Sequence, residues 1–174
     1  MPTARRSRTI AAPAGELWDV VRDPHHLPRW WPRVTRVEDV EGDAFTEVMK
    51  TAKGRLVRAD FTVDRADEHE HALSWTQHVE GTPFARVLRS AETEVRLRPL
   101  GAAGAGDAVG AGARADGPAA PSDDATAVRP ATEVTIELRQ SLTGFFPRFG
   151  GFMVRRAAAA TIEQALDGLE RISG

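Results

Sequence analysis

The chain has 174 residues, 41% of them apolar and 28% charged, and a formal net charge of -2, a composition ordinary for a soluble globular domain. So small a charge gives no electrostatic case for nucleic acid as a partner, and no run approaches the roughly 18 apolar residues of a membrane span, so no integral membrane association is expected. The absence of cysteine excludes disulfides, thiolate nucleophiles and cysteine-bound metals, and the opening MPTARRSRTI lacks the apolar core of a secretory signal, so the cytoplasm is the expected compartment.

In chain order, Ser7 to Ile10 reads as a short first strand. Pro13 to Val21 reads as a helix with proline near its first position and Leu17, Trp18, Val20 and Val21 on its apolar side. Asp23-Pro24 ends it, because the residue before a proline is pushed out of the helical region. His25 to Trp31 is then a second short helix or turn, stopped by Pro32. Six strands follow: Val34 to Val40, Ala44 to Thr51, Leu56 to Ala66, Ala72 to Val79, Arg86 to Leu100 and Thr132 to Leu142. Turn signals separate most of them, among them Glu41-Gly42-Asp43, Lys53-Gly54 and Gly81-Thr82-Pro83. Between the last two strands, Gly101 to Ala131 is mostly Ala and Gly and has no aromatic, Leu or Ile. Such a segment cannot bury enough apolar surface to offset its ordering entropy, so a flexible insertion is expected over 101–131. The chain closes with one proline-free, Ala-rich helix over about Gly151 to Ile172.

Consecutive strands with tight turns make an antiparallel meander, and the closing helix is the only element large enough to cover its apolar face. The expected class is α+β, a single domain over 1–174. About seven antiparallel strands curve around the long carboxy-terminal helix, with two short helices after the first strand. Where that helix presents small residues, Ala157 to Ala160, space is expected between helix and sheet.

The stretch IAAPAGELWDVVRDPHHLPRWWPRV, the LSW at Leu73 to Trp75 and the closing amphipathic helix resemble the helix-grip fold of the START-like (SRPBCC) superfamily. That group includes polyketide cyclase/dehydrase and lipid-transport-like proteins. The resemblance spans nearly the whole chain except 101–131. It implies a deep hydrophobic cavity, with the two short helices closing one end, and it implies little about chemistry, since such proteins range from carriers to enzymes.

Within that frame Trp30 is expected at the cavity mouth and Trp31 in the core. Strand alternation turns Leu73, Trp75, Gln77 and Val79 inward, and likewise Phe61 with Val57, Ala59 and Val63. It also turns Gln140 inward with Val134, Ile136 and Leu138, and Arg89 with Ala91, Thr93, Val95 and Leu97. A buried amide or guanidinium without a partner costs on the order of 1–3 kcal/mol, so Gln77, Arg89 and Gln140 are candidate polar anchors in an apolar site. Phe149 belongs to a greasy lip before the last helix, and Met153 and Ala157 to that helix's cavity stripe. The expected ligand-binding set is therefore Trp30, Phe61, Trp75, Gln77, Arg89, Gln140, Phe149, Met153 and Ala157.

His69 and His71 have the i,i+2 spacing of a ligand pair, with Asp67 and Glu70 nearby, but sit in a charged turn that reads as a solvated hairpin tip. Nothing matches the carboxylate and two histidines of the superfamily's iron-binding branch, so neither metal nor cofactor is expected. With no tyrosine and no evident nucleophile–base pair, catalysis is left open. The leading expectation is binding of a small hydrophobic or amphipathic ligand: polyketide-like, aromatic or lipid. One alternative is a polyketide aromatase/cyclase or dehydratase, supported if Arg89, Gln77 and His26 converge in the cavity. Another is a co-chaperone-type interaction module, supported if Trp75, Phe61 and Met153 fill the cavity. A homodimer is compatible with all three.

Overall fold

The computed structural model describes residues 2–51, 53–101, 129–143 and 150–174. β1 (Thr3–Ile10) leads into α1 (Ala14–Val21), a 3-10 turn at Pro24–His26 and α2 (Leu27–Trp30). Six strands follow: β2 (Val34–Glu41), β3 (Ala44–Lys50), β4 (Leu56–Asp67), β5 (Ala72–His78), β6 (Leu88–Leu100) and β7 (Ala131–Leu142). The chain ends in α3 (Gly150–Ser173). The strands form one open antiparallel sheet in the order β1-β7-β6-β5-β4-β3-β2, the architecture expected of a helix-grip fold. Most of the Ala/Gly-rich segment, 102–128, lies outside the described residues; its ends join β6 to β7, where Leu100 faces Ala131.

Local chemistry sets the early elements. Pro13 caps α1 in an extended conformation, and Ala14, Leu17, Trp18 and Val21 recur at helical spacing on the buried side. Asp23 accepts a hydrogen bond from the His25 backbone N–H at 2.9 Å and starts the 3-10 turn. Gly42 turns the β2–β3 hairpin at φ +59°, a left-handed value that glycine adopts without strain. Register shifts at Val34/Arg36 and Glu38/Glu41, at Val63/Arg65 and at Leu88/Ser90 mark bulges. Such bulges bend and twist the strands around the helix.

The sheet grips α3 most firmly at its carboxy-terminal half. Ile162, Ala165, Leu166 and Leu169 are buried against a sheet core that includes Val95, Val134 and Ile136. Fully burying each Leu or Ile side chain contributes about 1.5–3 kcal/mol. α2 crosses α3 at Gly168: a Cβ built there would collide with the Trp30 carbonyl oxygen and lie 2.7 Å from its Cα, so only glycine permits the approach. Arg8 of β1 straps the outside, donating to Glu163 at 2.9 Å and Glu170 at 3.2 Å and to Asp167 as well. No described helix is long and apolar enough to cross a membrane.

Candidate functional site

Beyond Ile162, toward its amino terminus, α3 faces the middle of the sheet with Thr161, Ala158, Ala157 and Val154, and there helix and sheet part. They border a cavity of about 390 Å³, open to solvent beside Ala157 and Val87 and within the size range of small-molecule sites. Trp31, Phe61 and Trp75 form its aromatic wall, while Phe84, Val87 and Leu88 border it from β6 and the 3-10 turn (Pro83–Arg86) before it. Trp31 and Trp75 meet edge to face with centroids 5.6 Å apart. Phe61 stacks on Phe45, outside the lining, at 5.2 Å. Edge-to-face and offset-stacked pairs hold the rings in fixed positions, so this wall is pre-formed.

The polar lining comes from sheet register. Phe45, Phe61, Gln77, Ala91 and Gln140 stand opposite one another in a single row across five strands. The small Ala91 therefore leaves a gap between the two amides. One row along, Thr93 lies between Trp75 and Leu138. On the far side, Glu47 of β3 also lines the cavity, opposite Val37 of β2 and Ala59 of β4. Glu47 is 1% exposed, and among the described residues neither of its oxygens, nor the buried Nε2 of Gln77, has a hydrogen-bond partner. With no cation among the described residues on the lining to offset desolvation, burial pushes the Glu47 carboxyl pKa up to about 8. Near neutral pH the side chain is thus mainly a neutral acid, able to donate one hydrogen bond and to exchange a proton.

Of the residues expected at a binding site, Phe61, Trp75, Gln77, Gln140 and Ala157 line this cavity together. Trp30 and Trp31 exchange places relative to expectation. Trp30 completes α2 and is 2% exposed, its backbone pressed against Gly168, whereas Trp31 leaves the helix in an extended conformation that turns its indole to Trp75 and the cavity. Arg89 is exposed and off the lining, because the bulge between Leu88 and Ser90 reverses the alternation and hands the inward place to Leu88. Met153 is 70% exposed; α3 is rotated by about one residue from the expected stripe, so Val154 takes its place. Phe149 lies outside the described residues. His26 does not line the cavity either, so Arg89, Gln77 and His26 do not converge. Among the described residues no three His, Asp or Glu side chains gather as an ion site. Glu47 is missing from the expected set, although the alternation Phe45, Glu47, Met49 carries its signal: an acid on an otherwise apolar strand face.

A family model described as polyketide cyclase/dehydrase and lipid transport matches residues 1–174. No curated protein matches the chain in sequence. A START superfamily protein from Mycobacterium smegmatis superposes with a TM-score of 0.68 at 15% identity, covering 98% of this chain and 96% of that one. BexL, a di-domain ARO/CYC from the BE-7585A biosynthetic pathway, gives 0.70 at 19% identity over 98% of this chain and 46% of BexL. A protein from Thermus thermophilus gives 0.60 at 20% identity over 98% and 95%. At these identities the structural likenesses establish a shared fold.

Proposed function

Since the chain belongs to the polyketide cyclase/dehydrase and lipid-transport family, we propose that its cavity binds a small hydrophobic or amphipathic molecule, of polyketide-like, aromatic or lipid type. The observation that carries this reading is the lining itself: about 390 Å³ walled by Trp31, Phe61, Trp75 and small α3 residues, with a few polar heads spaced along it. Mostly apolar walls with sparse, placed polar groups are the usual makeup of a small-molecule site. We place the activity in the cytoplasm, where a chain without cysteine forgoes nothing.

A co-chaperone-type module would require Phe61, Trp75 and Met153 to close the hollow, and Met153 instead points to solvent. The cyclase or dehydratase reading draws support from a different residue than expected, Glu47, an acid positioned to exchange a proton inside the cavity. Turnover of a poly-β-ketone analogue that stops in Glu47→Gln favours that reading over simple carriage.

The direct test is titration with N-phenyl-1-naphthylamine, a neutral fluorescent probe that brightens in apolar surroundings. Binding at one site per chain, with energy transfer from the cavity indoles, is the expected result. Absence of saturable binding overturns the proposal.

A further inference from the structure

Glu47 is the one ionisable side chain on the cavity lining among the described residues. Its two oxygens and Gln77 Nε2 are buried with no partner. The strands that carry them, β3 and β5, flank β4. With neighbouring strands about 4.8 Å apart, and Glu47 two residues (about 7 Å) along β3 from the Phe45 that shares Gln77's row, the two backbone positions stand about 12 Å apart on a diagonal across the sheet. The heads do not bond each other, and the interval between them suits one small polar group of a guest.

Among the described residues, the charged groups of the neighbouring elements lie off the cavity lining. On β2, Arg36 and Glu38 pair with each other, and on β4 the exposed Arg58 pairs with Glu38 and Asp39 while Asp60 accepts from Thr46. His78 of β5 is exposed and bonded to Thr62; Glu92 and Glu94 of β6 pair with Arg139 of β7. On α3, Arg155 and Arg156 are exposed, and Glu163 pairs with Arg6 and Arg8. None of these lines the cavity, and neither do Arg29, Lys50, Arg89 or His26. Burial alone keeps the carboxyl protonated near neutral pH, so Glu47 and Gln77 present two unpartnered donors, O–H and N–H, on either side of one gap.

That pair selects among guests. An anionic guest would bring a charge into an apolar hollow with no cation among its described lining residues to meet it. An ammonium group would suit an ionised Glu47 but would face the Gln77 N–H. A neutral carbonyl oxygen, an acceptor with two lone pairs, meets both donors at no cost in charge. Resting on the ligand-binding reading above, we infer that Glu47 and Gln77 form a donor pair holding the carbonyl oxygen of a neutral hydrophobic ketone, and that ionisation of Glu47 releases it. On ionisation the O–H donor is lost and a carboxylate faces the carbonyl oxygen, so attraction turns to repulsion.

The test compares two neutral naphthalene probes of similar size: Prodan, which bears a ketone, and N-phenyl-1-naphthylamine, which has no acceptor oxygen. Dissociation constants are measured from pH 6.5 to 9.5 for the wild type and for Glu47→Gln, whose amide can donate but cannot titrate. In the wild type Prodan is expected to bind about tenfold more weakly at pH 9.5 than at pH 7, and the amine probe less than threefold. In Glu47→Gln, Prodan binding should stay within about twofold across the range. Prodan binding that is flat in the wild type, or that falls in parallel with the amine probe, overturns the donor pair while leaving the cavity as a binding site. The two-probe comparison in the wild type decides even if the variant does not fold. Failure of both probes to bind at any pH overturns the cavity reading, and this inference with it.

Discussion

The two halves of α3 meet the same sheet with opposite outcomes. From Ile162 to Leu169 the helix offers large apolar side chains and, at Gly168, a bare backbone, and the contact is closed: Ile162, Ala165, Leu166 and Leu169 are all at or below 1% exposure. From Val154 to Thr161 it offers alanines, a valine and a threonine, and the contact opens into about 390 Å³. One rigid rod can keep a cavity at one end only if the other end is anchored, because an unanchored helix would settle onto the sheet and recover the lost dispersion contacts. The anchor is the solid half together with the Arg8 strap to Glu163, Asp167 and Glu170. Stability is concentrated where nothing binds, and binding capacity where packing is thin.

The largest expected effect lies in the thin half. The Glu47 carboxyl titrates near 4.5 in the unfolded chain and near 8 in the fold. Between those values the unfolded state holds fewer protons than the native state, so this residue's contribution declines as pH rises from about 4.5 to about 8. The full span amounts to roughly 5 kcal/mol as an order of magnitude. Denaturant midpoints measured from pH 4 to 9 should therefore fall between about pH 4.5 and about pH 8 in the wild type and flatten in Glu47→Gln. An identical slope in both proteins would mean that Glu47 is hydrated or paired.

Next comes the solid half. Gly168→Ala forces a methyl group into the Trp30 backbone and should cost about 3 kcal/mol of unfolding free energy, the upper range for overpacking. A neutral result would place α2 farther from α3. The smallest effect separates the halves most cleanly. Ala158→Leu adds bulk at a buried, cavity-lining position and should change stability by no more than about 1 kcal/mol. It should nonetheless weaken N-phenyl-1-naphthylamine about tenfold. If Ala158→Leu unfolds the chain, that end of α3 is as tightly packed as the other.

Much of this arrangement is legible from periodicity. Strand alternation alone turns Phe61, Trp75, Gln77 and Gln140 toward the helix, because a period of two leaves little freedom once one face is buried. Alternation fails where an extra residue enters. The bulge at Leu88/Ser90 leaves no composition signal, so the pattern turns Arg89 inward and passes over Leu88. The tryptophan pair turns on where α2 ends: with Trp30 as its last residue and Trp31 already extended, the indoles meet edge to face at 5.3 Å and only Trp31 reaches the cavity, and the end of a four-residue helix is below what pattern reading resolves. On α3 the alanine run hides the helical phase, since equal residues on every side leave little moment to orient the stripe, and the pattern puts Met153 in Val154's place. Glu47 differs from these. Phe45, Glu47 and Met49 alternate in plain view, but an acid between apolar neighbours reads as solvated until the strand's position in the sheet shows that both its faces are covered.

Whether the thin half of α3 accommodates a guest is most directly measured by intermolecular NOEs in a complex of isotope-labelled protein with N-phenyl-1-naphthylamine. Contacts are expected from the probe's rings to the Trp31 and Trp75 indoles and to the Ala157 and Ala158 methyls. Contacts confined to the exposed Phe152 and Met153, with the two indoles and the alanine methyls undisturbed, would contradict it.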